Sequence, residues 1–287
     1  MVTPEEFKEQ FGRHGYLAEI MGVFTRNLRI KHVAWFSLVD DANETLQAIA
    51  VKSTEQYSGL LLRDKKVLAT LLLLRSLGLF QGSIMLVERG MIVEARVLMR
   101  ALLETSFCLG AIHDGPQAFV NKFSSDHEKS RRQQAEAATQ FGSLDPSSEQ
   151  FKALTDAINA ISKSEKLLNM SVLAKEGPLS RLFLLYKVMS NDLAHCSVTS
   201  ALNHYDRGDQ LDRSGGYILG PGGADQAELN LDNLILIATS IGIGFTNIVG
   251  DAEGNRRISD ICERYEALSN GTSLGTVTTM KSSTSCA

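Results

Sequence analysis

From Val67 to Val87 the chain stays apolar for about the length of a membrane span, which needs roughly 20 residues; Arg75 and Gln81 break the run. Such a segment either crosses a bilayer or forms a central helix of a bundle. Arg75 within it, and Arg63, Lys65 and Lys66 beside it, disfavour insertion, because an arginine at mid-span costs about 2.5–3.5 kcal/mol. The segment therefore reads as a bundle helix with no stable membrane insertion. Leu234 to Val249 carries no charge but is short for a span, and Ser240, Gly242, Gly244 and Asn247 suit a close-packed interior helix.

The 287 residues are 44 % hydrophobic and 22 % charged, enough for one large domain or one and a half smaller ones. Only five prolines occur, and Leu, Ala, Glu and Lys fill the long segments, a composition that favours helix over sheet. The expected fold is all-α: a multi-helix bundle with one long Gly/Asp-rich loop and a disordered C-terminal tail. Residues 1–59 read as an N-terminal helical segment, 60–268 as the bundle core carrying the site, and 269–287 as a flexible tail.

A formal net charge of −4 argues against a general nucleic-acid-coating role, though not against a local basic patch. Cys108, Cys196, Cys262 and Cys286 form no C-x-x-C, so neither a zinc site nor a disulfide framework is expected. No metal or cofactor is called for. The N-terminus lacks a basic-then-apolar signal, and the expected location is the cytoplasm.

Thr3, Pro4 and Glu6 make a capping box with proline at the first helical position, from which a helix should run toward Arg29. After an irregular stretch at Trp35, a long helical region is expected from Asp40 through Leu60-Leu61-Leu62 to Gly90. A helix from Met91 to Asp114 should end at Gly115-Pro116. A solvated helix, Gln117 to Gln140, follows it. The next helix starts at Asp145-Pro146 and ends near Lys166, and Gly177-Pro178 marks the entry to a helix bearing His195. Asp206 to Asp225 is the long loop, with an extended piece at Tyr217-Ile218-Leu219. Two more helices are expected, Glu228 to Ile248 and Arg256 to Leu268.

Two polar clusters interrupt otherwise apolar helices. Arg100 and Glu104 stand one turn apart in a stripe with Val93, Val97, Phe107 and Ala111, which predicts an i,i+4 ion pair embedded among apolar side chains. The second cluster is Ser190-Asn191-Asp192-Leu193-Ala194-His195. Its helix shows two apolar seams, one through Leu182, Tyr186, Met189, Leu193 and Cys196, the other through Leu184, Val188, Asn191, His195, Val198 and Leu202. Ionisable groups on helices this apolar either lock a core together or carry chemistry.

The succession of a long apolar helix, Arg100-x-x-x-Glu104, Tyr186-x-x-x-Ser190-x-x-x-x-His195, a Gly-rich loop and a last apolar helix resembles a family of uncharacterised bacterial helical proteins, a domain of unknown function. That family is similar in style to the HEPN superfamily of helical nucleases and nucleotide binders. Active HEPN members carry an Arg, often followed by a polar residue, and a His four to six intervening residues later. Here Ser190-Asn191-x-x-x-His195 keeps the spacing and the histidine but places Ser where the Arg stands, and Arg100 could supply the cation from a neighbouring helix.

The resemblance implies a metal-independent endoribonuclease, an effector of a bacterial toxin or antiphage-defence system, dimeric, with RNA as partner. His195 would be general base or acid, Arg100 would stabilise charge on the phosphate and Glu104 would orient it. Ser190, Asn191 and Tyr186 would hold imidazole or substrate. The competing expectation is a non-catalytic helical sensor or partner-binding subunit of a defence or stress system, with a second protein of that system as partner.

Overall fold

The computed structural model describes residues 2–61, 64–142, 145–160, 168–192, 198–206 and 216–271. Within them the chain forms twelve α-helices and one two-stranded ladder, an all-α bundle.

The capping box forms as the sequence predicts. Thr3 Oγ1 accepts from the Glu6 N–H at 3.1 Å and Glu6 Oε2 accepts from the Thr3 N–H at 2.8 Å, opening α1 (Pro4–His14). The expected run to Arg29 is broken instead, because Gly15 turns at φ +55 into a 3-10 turn (Gly15–Leu17) before α2 (Met21–Lys31).

Trp35 is not in an irregular stretch. It lies buried within α3 (Val33–Gln56), where packing of Trp35, Phe36, Val39, Leu46 and Ile49 overrides the weak helix preference of Val33-Ala34-Trp35-Phe36. Nor does one helix run from Asp40 to Gly90. Gly59, at φ +81, ends the chain's helical course after α3, and Asp64 Oδ1 accepts from the Lys66 N–H at 2.7 Å to cap α4 (Lys65–Glu88).

Gly90, at φ +71, separates α4 from α5 (Ile92–Asp114), and Pro116 opens α6 (Pro116–Phe141), which buries only Phe119 and Val120. The helix expected from Asp145 begins later, as α7 (Glu149–Ala160), because the Asp145 carboxylate is occupied by the N–H and hydroxyl of Ser147. A short α8 (Met170–Glu176) is capped by Asn169, and a 3-10 turn (Ser180–Leu182) leads into α9 (Phe183–Asp192).

After α10 (Val198–Leu202), β1 (Tyr205–Asp206) pairs antiparallel with β2 (Gly216–Tyr217), and the backbone of Ile218 extends the ladder to His204. The chain closes with α11 (Ala224–Val249) and α12 (Ala252–Gly271). The tail beyond Gly271 lies outside the described residues.

α5 is the central element. It packs along α4 on one side and α11 on another, with α6, α8 and α9 around its remaining surface. Ala95, Met99, Leu102, Leu103 and Leu109 are wholly buried. α3 packs against α4, α11 and α12, so its side chains share one apolar core with the rest of the bundle, although residue 59 falls in the α3–α4 connection.

Gly242 brings α11 close to α12: a Cβ there would sit 2.6 Å from Ile258 Cδ1. α4 and α11 are each long and apolar enough to cross a membrane. In the fold, 50 % of the most apolar stretch of α4 and 61 % of that of α11 lie buried against other helices.

Candidate functional site

Arg100 and Glu104 form the ion pair their spacing predicts, with Arg100 Nη2 3.0 Å from Glu104 Oε1. The pair sits at the edge of the core. Its side chains are 23 % and 24 % exposed, so water reaches both.

α9 supplies the other half of the cluster. Tyr186 and Ser190, one turn apart, face α5, and Arg100 Nε donates to Ser190 Oγ at 3.0 Å. Tyr186 Oη lies 3.4 Å from Glu104 Oε1, a long hydrogen bond, and the guanidinium carbon stands 5.6 Å from the centre of the Tyr186 ring. Arg100 thus meets the later residue of α9 and Glu104 the earlier one, so the two helices run antiparallel where they touch.

Phe107 completes the wall, its ring edge-on to Tyr186 at 5.6 Å between centroids. It appeared in the sequence as one more member of an apolar stripe. Nothing in its spacing shows that it braces the tyrosine on which Arg100 rests.

Of the six residues singled out from the sequence, the structure gathers Arg100, Glu104, Tyr186 and Ser190 into one cluster. Asn191 points outward from α9 and is exposed. His195 falls in 193–197, outside the described residues.

The two seams of α9 differ in fate. Leu182, Tyr186 and Met189 are buried, while Leu193 and Cys196, the rest of that seam, lie outside the described residues. The seam that carries Asn191 is not packed: Leu184 is 63 % exposed and Val198, across the gap in α10, is 78 % exposed, with Val188 and Leu202 also open. The bundle has no helix on that side of α9 among the described residues to cover it.

Cys108, one turn beyond Glu104, is buried, and its thiol is pushed up to about 12 by burial, with the carboxylates of Glu104 and Asp126 adding to the effect. A thiol so held is not a nucleophile. No group of three or more metal-ligating side chains occurs among the described residues. A groove of about 590 Å³ runs along the outer face of α3, lined by Asn43, Gln47, Ala48 and Val51, and includes none of the cluster.

Chemically, the cluster presents one guanidinium, fixed on two nitrogens by Glu104 and Ser190 and on its face by Tyr186. Its third nitrogen, Nη1, has no hydrogen-bond partner among the described residues. An anion reaching the open edge would meet a pre-oriented donor at little entropic cost.

No curated protein and no solved structure matches the sequence. A family model, described as a family of unknown function (DUF5677), matches residues 66–212, the stretch that runs from α4 past α10 and holds every residue of the cluster together with His195. The chain belongs to that family of unknown function.

Proposed function

We propose that the α5–α9 junction is the phosphate-recognising half of a metal-independent RNA-cleaving site of the HEPN kind. The observation that supports this reading is the posture of Arg100, which Glu104 and Ser190 hold while one guanidinium nitrogen and about a quarter of the side chain stay open. Arg100 would stabilise charge developing on the phosphate. His195, five residues beyond Ser190, would transfer the proton at the ribose 2′-hydroxyl or the leaving 5′-oxygen. In this role Ser190 is a ligand of the arginine and does not replace it. The open apolar seam of α9 and α10 fits a dimer in which a second copy covers it.

The test is cleavage of an end-labelled RNA by the purified chain. General acid–base catalysis is worth about 10²–10⁴-fold, so His195→Ala should lose that much rate and Arg100→Ala a comparable amount. A His195→Ala protein that cleaves as well as wild type overturns the reading.

One observation favours a second reading. Every partner of Arg100 among the described residues is itself part of the cluster, which suits a polar lock in a non-catalytic sensor or partner-binding subunit of a defence or stress system. Wild-type protein that cleaves no RNA, with Arg100→Ala losing stability, would favour the lock.

A further inference from the structure

Arg96 stands one turn before Arg100 on α5, so the two side chains leave the helix on one face. They are held by different helices. Arg96 Nε donates to Asn230 Oδ1 on α11 at 3.2 Å, as Arg100 Nε donates to Ser190 Oγ on α9 at 3.0 Å. Asn230 is wholly buried, and its Nδ2 donates to the Gln226 carbonyl at 2.6 Å, which turns Oδ1 toward the arginine.

Two features make this face more than a tie between helices. Asn230 and Ser190 fix a guanidinium through a neutral oxygen, which orients the fork without cancelling its charge. Like charges one turn apart on a helix repel, and an anion bound to both removes that cost. In addition, Val97, which adjoins both arginines on the helix surface, is 38 % exposed, so the floor beside them is open to solvent.

We propose that Arg96 and Arg100 form a two-point phosphate clamp, whose ligand is an oligoribonucleotide with at least two successive phosphates. The clamp rests on the RNA-directed reading of Arg100 and gives that site its substrate class: Arg100 meets the scissile phosphate, Arg96 meets its neighbour, and the sugar between them lies over Val97. Positions four apart on a helix are separated by about 6 Å of rise, the order of the step between neighbouring phosphates of an extended strand. A lone phosphate monoester would engage one arginine and leave the other unused.

The experiment titrates the full chain with an end-labelled 2′-O-methyl oligoribonucleotide, which binds without being cut, at a series of salt concentrations. Each phosphate contact to a single strand adds about 0.7 to the steepness of log K against log salt. Arg96→Gln and Arg100→Gln should each lower the steepness by about that amount, and the pair of substitutions by about twice as much. Arg96→Lys, which keeps the charge, should restore it. Arg256→Gln on α12, where the arginine is paired with Glu253, should leave it as in wild type.

A measurement on wild type alone stands apart from the folding of any variant. A 2′-O-methyl dinucleotide should compete for the site about tenfold better once a terminal phosphate is added at one of its two ends, the gain of one charge-assisted hydrogen bond. No gain from a phosphate at either end, an unchanged salt dependence in folded Arg96→Gln, or an equal loss in Arg256→Gln would each overturn the clamp. RNA cleavage by a protein whose salt dependence ignores Arg96 would sink the clamp and spare the catalytic reading, whereas Arg96-dependent binding without cleavage would do the reverse.

Discussion

Arg100 Nε donates to Ser190 Oγ at 3.0 Å, joining α5 to α9 across 90 positions of sequence. This one bond makes a single cluster of two polar segments that the sequence shows only as separate interruptions of apolar helices. It also sets the register of α9, since Tyr186 then falls beneath the guanidinium.

The contact should be measurable as a coupling. Arg100→Ala leaves the Ser190 hydroxyl and the Glu104 carboxylate short of partners, a loss of about 1–3 kcal/mol in urea unfolding. A double-mutant cycle with Ser190→Ala should return a coupling of about 0.5–1.5 kcal/mol. A coupling indistinguishable from zero would mean that this hydrogen bond does not help to hold the two helices together.

Cys108 should be inert. Burial pushes its thiol to about 12, so at neutral pH almost no thiolate is present, and the thiolate is the reactive form. Alkylation by iodoacetamide at pH 7.5, read by peptide mass mapping, should leave Cys108 unmodified in the native protein and modify it in urea. Fast native labelling would show that the α5 core opens readily at this turn.

The sequence made legible what rests on local spacing. The Thr3–Glu6 capping box, the end of α4 at Gly90 and the Arg100–Glu104 pair are all fixed by residues within a turn or two of each other. What it concealed depends on tertiary partners. Trp35 reads as a helix interruption until the core formed by α4, α11 and α12 is known to cover it. The outer seam of α9 looks as apolar as the inner one, and only the absence of a neighbouring helix among the described residues distinguishes them. Asp64 carried a capping signal that the leucines before it overshadowed. The contact of His32 with Glu228 on α11 was not singled out, because positions so far apart in sequence report nothing of it.

Gly242 gives a prediction whose sign depends on its neighbour. Gly→Ala in a helix interior gains about 0.8–1 kcal/mol of propensity, but a Cβ here meets Ile258 Cδ1 at 2.6 Å and Cγ1 at 2.8 Å. Overpacking of this kind costs about 1–3 kcal/mol, so Gly242→Ala should destabilise wild type modestly. In an Ile258→Ala background the clash is gone and the same substitution should stabilise. Thermal unfolding of the four proteins decides it, and a Gly242→Ala effect of one sign in both backgrounds would show that the Ile258 side chain does not set that sign.

Asp251 should govern the acid limb of stability. It precedes α12, where Oδ1 accepts from Lys52 Nζ at 2.8 Å and from the Gly254 N–H at 3.3 Å. Burial alone would raise this carboxyl, but the Lys52 and Gly254 hydrogen bonds, with the Lys52 charge, outweigh it and leave the group below the ordinary aspartate value. A carboxyl lowered in the folded state contributes stability that is present above the unfolded pKa and is lost as pH falls through the folded one. Wild type should therefore weaken below about pH 4, as Asp251 takes up its proton and the tie between α3 and α12 fails. Asp251→Asn should be less stable at pH 7 and should show a flatter profile between pH 4 and 2, with the two proteins converging at the acid end. Lys52→Met should reproduce part of that flattening, because the Gly254 N–H remains. Parallel urea-unfolding profiles for wild type and Asp251→Asn across this range would rule out Asp251 as the group responsible, leaving the remaining carboxylates to account for acid sensitivity.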